Sequence, residues 1–141
     1  MHYNSIDHFL QENEPAITAL MAAAQEAAGG HYAAMSPEQS RQTAADDARQ
    51  VMRSFREMQL DRESIQADAR RVDGEGINLD DLTRMASHFT RHFEAFAKER
   101  LTGQPDLARE MVRRCGVMGT TYTANVTTVK LDKTLRRMQR P

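Results

Sequence analysis

The sequence predicts an all-α fold of five to six helices that ends in one long C-terminal helix. Three observations carry this. Glycine and proline are scarce (7 and 4 of 141 residues) and tryptophan is absent, while nine methionines join many Ala, Arg, Gln and Glu, a helix-forming composition. Apolar residues recur at helical spacing, and no segment alternates with the period of two that a strand requires. Serine, asparagine and proline stand where helix starts need them.

The first segment runs from Ser5 to Ala28. Ser5 is an N-cap, with His8 rather than a glutamate at the third position. Ile6, Phe9 and Leu10 form its apolar face. Pro15 divides the segment: Asn13 or Glu14 ends a short helix and Pro15 opens the next. Ile17, Leu20, Met21 and Ala24 continue the face, and Gly29-Gly30 stops it. Ser36-Pro37-Glu38-Gln39 is a capping box with proline at the first helical position. Ala44, Ala48, Val51, Met52, Phe55 and Met58 follow on one face. A third, weaker helix is expected from Arg62 to Val72, with only Ile65, Ala69 and Val72 apolar. Asn78 caps a fourth that runs to Leu101 through Leu82, Met85, Phe89, Phe93 and Phe96. Pro105 opens the last and longest, whose stripe reads Leu107, Met111, Cys115, Met118, Tyr122, Val126 and Val129. Beyond Val129 the register slips to Leu131, Leu135 and Met138, a stripe that suits a two-helix contact and extends the expected dimer pairing. The chain thus divides into a helical domain, 1–129, and a basic exit helix, 130–141.

Composition excludes several classes. A net charge of -1 gives no global attraction to nucleic acid or to a membrane. Five basic residues gather at the end (Lys130, Lys133, Arg136, Arg137, Arg140), but no aromatic side chains interleave them, so base stacking is unsupported. No apolar run reaches the roughly 18 residues of a membrane span, and the start lacks a signal-peptide pattern. A single cysteine rules out an internal disulfide and fits a reducing, cytoplasmic setting.

Three constellations hold the chemistry. Asp73 to Leu82 looks like half of an EF-hand loop, but with Gly76 at the sixth position Arg71 falls first and Leu82 twelfth, where calcium needs carboxylates. A turn followed by an asparagine cap accounts for the same residues. Ser87 to Phe96 places His88 and His92 one turn apart among phenylalanines, with His92 at the edge of the apolar sector and His88 nearer solvent. A structural zinc site wants four ligands and the pair supplies two, without the glutamate of a metalloprotease. His92 beside Phe89, Phe93 and Phe96 is the one candidate heme ligand. Cys115 lies on the apolar stripe and reads as a small buried hydrophobe. No catalytic residues and no metal ligand set are assigned, and no enzyme is expected. A bundle that stores metal needs inward Glu-x-x-His pairs, which are absent here.

Tyr32…Met35-Ser36-Pro37-Glu38, then Arg70-Arg71…Gly76-Ile77-Asn78-Leu79-Asp80-Asp81-Leu82, then a long terminal helix that changes register, resemble the N-terminal domains of RsbR and RsbRD-type stress-signalling proteins. The resemblance spans roughly residues 5–135 and rests on turn chemistry and helix order. It implies a globin-like sensor domain, usually without heme, that dimerises through its last helices. It further implies an output partner, often a STAS domain, which acts on an anti-sigma factor or a kinase. From the residues alone, Met118, Tyr122, Val126 and Val129 exceed what one bundle contact needs and are the expected homodimer interface. The expected function is non-enzymatic signal input, the alternatives being a heme-based gas or redox sensor with His92 as ligand, or a small helical metal-binding protein or enzyme.

Overall fold

The computed structural model describes residues 1–58, 67, 70 and 74–140. Among them every regular element is helical: α1 (Ile6–Glu12), α2 (Glu14–Ala28), a 3-10 turn (Tyr32–Ala34), α3 (Pro37–Glu57), α4 (Leu79–Arg100) and α5 (Pro105–Met138). The expected weak helix from Arg62 to Val72 falls largely outside the described residues, as do Arg71 and Asp73 of the calcium-like turn.

The punctuation acts as its chemistry demands. Ser5 caps α1 by accepting from His8 N, and the His8 ring answers by accepting from Asn4 N at 3.0 Å. His8 thereby does part of the work of the missing glutamate. Asn13 is nearly buried at the α1–α2 junction and donates to Phe9 O at 2.8 Å. The Ser36–Gln39 capping box is complete in both directions. Asn78 caps α4 by accepting from Asp81 N at 2.8 Å.

Two cores result. The main one joins α1, α2, α3, α4 and the first third of α5, with α2 packed most extensively on α4. At its centre Phe93 is fully buried, stacked against Phe55 at 5.0 Å and Phe89 at 5.6 Å. Tyr3 is drawn in as well, held by Gln104, which accepts from Tyr3 N at 2.8 Å and donates to Tyr3 O at 2.7 Å.

The second core is small: Ala28, Tyr32, Ile77, Leu82 and Val126, flanked by Met35, Tyr122 and Val129. It depends on the turn after α2. Gly29 and Gly30 both have positive φ (64° and 53°), which side-chain-bearing residues resist. Gly30 also lies directly against the Asp81 carboxylate, where a Cβ would overlap it. Asp81 is buried, yet satisfied: it accepts from His31 N at 3.2 Å and pairs with Arg84, whose Nε reaches Ala28 O at 3.3 Å. A buried carboxylate so partnered ties the turn to α4.

α5 is one unbroken helix of 34 residues, about 50 Å long. Its middle is built of poor helix formers: Thr120, Thr121, Thr123, Val126, Thr127, Thr128 and Val129 are all β-branched. Thr127 and Thr128 turn their hydroxyls back to Thr123 O and Ala124 O at 2.8 and 2.9 Å, a bond that loosens and bends helices. Burial of Val126 in the second core offsets that weakness.

Candidate functional site

The candidate site is α5, because one helix serves both cores and then continues past them. Pro105 sets its first turn. Met111 and Cys115 enter the main core, supported by Leu107, Ala108 and Met118. Arg114 bridges to the end of α3, donating to Phe55 O at 2.5 Å while also bonding Glu110 at 2.8 Å. Hydrogen bonds from Arg113 and Arg114 hold the Glu110 carboxyl down at about 2. Arg114 therefore points away from Cys115 and does nothing to activate it.

Burial pushes the Cys115 thiol up to about 11. A thiol so protonated is a poor nucleophile. Iodoacetamide at about pH 8 is expected to leave it unlabelled in the native protein and to label it fully in denaturant. Rapid labelling of the folded chain would contradict this burial. The same shift has a sign for stability. Above the ordinary value of 9.0 the unfolded thiol ionises while the folded one, near 11, keeps its proton. Stability present below that ordinary value is therefore lost as pH rises through the window.

Of the expected dimer interface, one residue needs correction. Val126 is fully buried within its own protomer, so it has no surface to offer a second copy. Tyr122 and Val129 pack against the same small core and Met118 against the main one. Val126 is taken up by a second core that helical periodicity does not reveal. Apolar surplus lies on the opposite face, in the stripe beyond the register slip. Leu131, Leu135 and Met138 are 58%, 49% and 76% exposed, the only large apolar side chains besides Met1 so exposed among the described residues.

Extended backwards at alternating steps of four and three, this exposed face becomes Val117, Thr121, Ala124, Thr128, Leu131, Leu135 and Met138. Such spacing is that of a coiled-coil seam. Leu131 stands about 140° round the helix from Val126. The positions that flank the seam are Met118, Thr120, Asn125, Thr127, Asp132, Thr134 and Gln139, with no cation among them. The basic residues of the tail that lie within α5 (Lys130, Lys133, Arg136, Arg137) fall on the side turned away from the seam. Asp132 is paired along the helix with Arg136 at 3.2 Å.

The histidine pair is also placed differently from expectation. His92 is the exposed member and His88 the half-buried one. The His92 ring stacks on His88 at 4.0 Å between centroids and its Nδ1 lies 2.9 Å from His88 O. It does not enter the phenylalanine sector, so the apolar pocket that would favour heme ligation is not formed around it. His88 shifts below its ordinary value through burial, then through His92 and Arg91.

No family profile, curated protein or solved structure matches this chain. Among the described residues no helix is long and apolar enough to cross a membrane, and no three His, Cys, Asp or Glu side chains gather as a metal-binding group.

Proposed function

We propose that this chain is a non-enzymatic signal-input domain of the globin-like, RsbR type, acting in the cytoplasm. It pairs with a second copy through the outer seam of α5 and passes a conformational bias along that helix to an output module such as a STAS-domain or kinase partner. The observation that supports this reading is the continuity of α5: one helix starts in the main core, crosses the small core and emerges with Leu131, Leu135 and Met138 uncovered. An emergent apolar stripe without flanking cations suits a copy of itself better than an acidic partner or a lipid surface.

Light scattering at tens of micromolar is expected to give twice the 16.0 kDa chain mass. Leu131→Asp combined with Leu135→Asp is expected to give a monomer that stays folded, because both side chains lie outside the two cores. A wild-type monomer would sink the pairing. Co-sedimentation of that monomer with anionic vesicles would reassign the basic, apolar tail to a membrane surface.

A further inference from the structure

We propose that His88 and His92 form a two-ligand chelate for a borderline divalent metal ion, zinc or nickel. The inference stands apart from the signalling reading and needs no dimer. The two residues lie one turn apart on α4, their rings 4.0 Å between centroids and 14° from parallel. Two nitrogens on one ion, with bonds of about 2.0–2.1 Å, stand roughly 3–4 Å apart, a span within reach of two rings whose centroids are 4.0 Å apart.

The protonation pattern also fits. As a donor, His92 Nδ1–H bonds the His88 carbonyl at 2.9 Å and leaves the Nε2 lone pair available. Imidazoles that bind metals are commonly oriented by such a bond from their other nitrogen. His88 has its buried Nδ1 without any hydrogen-bond partner. No hydrogen bond therefore holds that nitrogen, and the near-parallel rings must splay for their lone pairs to meet on one ion. Arg91 opposes a cation here, which keeps the site weak. No third protein ligand joins among the described residues, so water or a donor from outside completes the coordination.

The test is calorimetric titration of the purified chain with zinc chloride near pH 7.5, followed in parallel by the NMR signals of the histidine rings. One ion is expected to bind with a midpoint below about 1 mM. The rings of His88 and His92 should shift, while those of His2, His8 and His31 stay in place. His88→Gln and His92→Gln should each weaken binding at least about tenfold, with melting temperatures confirming the fold. Acidification to about pH 5.5 should release the ion, because both ligands must be unprotonated. Absence of saturable uptake, uptake retained in the double variant, or a shift confined to His2 and His8 would each overturn the assignment.

Discussion

Phe93→Ala is expected to remove roughly 3–5 kcal/mol of unfolding free energy, as emptying a fully buried aromatic site does elsewhere. The reason is positional. Phe93 has no exposed surface and lies between Phe55 and Phe89, so its loss opens a cavity where α3 and α4 meet. Neither neighbour can fill it, because each is anchored on its own helix. Urea unfolding followed by circular dichroism measures the loss. Phe96→Ala is the control. That ring is only half-buried, with Arg100 lying over it at 5.2 Å, and its removal should cost less than half as much. Equal losses would mean that the core is not centred where the stacked rings place it.

The second large effect is expected at Gly30. Gly30→Ala combines a left-handed backbone with a Cβ that displaces the Asp81 carboxylate from His31 N and Arg84. Together these are expected to cost roughly 2–4 kcal/mol. The loss should be uneven. Asp81 holds the turn over which the small core is built, so amide exchange should speed up around Val126 while the amides near Met111 stay protected. Gly29→Ala meets open space and strains only the backbone, leaving the carboxylate in place. If Gly30→Ala weakened both halves of α5 alike, the two cores would have to be one cooperative unit.

Helix boundaries are the most legible part of this sequence, because the residues that set them act locally. Pro15, Ser36-Pro37, Asn78 and Pro105 fix chain geometry or satisfy end amides whatever surrounds them, and each marks a helix start where expected. Periodicity likewise picks out Phe89 and Phe93 as inward-facing. It fails on partnership. Val126 has the right face, but helical spacing cannot say whether the same chain or a second one covers it. The small core that covers it is assembled from a glycine turn, a 3-10 turn and the residues before α4, pieces with no period of their own. The outer seam is obscured for another reason. Its first half is Thr121, Ala124 and Thr128, side chains too small or too polar to register as a stripe. The buried role of Asp81 is hidden because a run of Asn and Asp before a helix ordinarily signals only a cap. The order of His88 and His92 depends on ring rotamers, which the angle per residue does not determine.

The placing of the two cores along α5 makes that helix a lever. Cys115, in the main core, is the pivot. Val126 lies 11 residues beyond it, about 16 Å, and Met138 23 residues beyond, about 35 Å. A sideways step of about 1 Å in the small core therefore becomes about 2 Å at the far tip, if the shaft stays stiff. The threonine-rich stretch sits on that shaft between pivot and tip. Its compliance decides whether the motion arrives doubled as a swing or is absorbed as a bend.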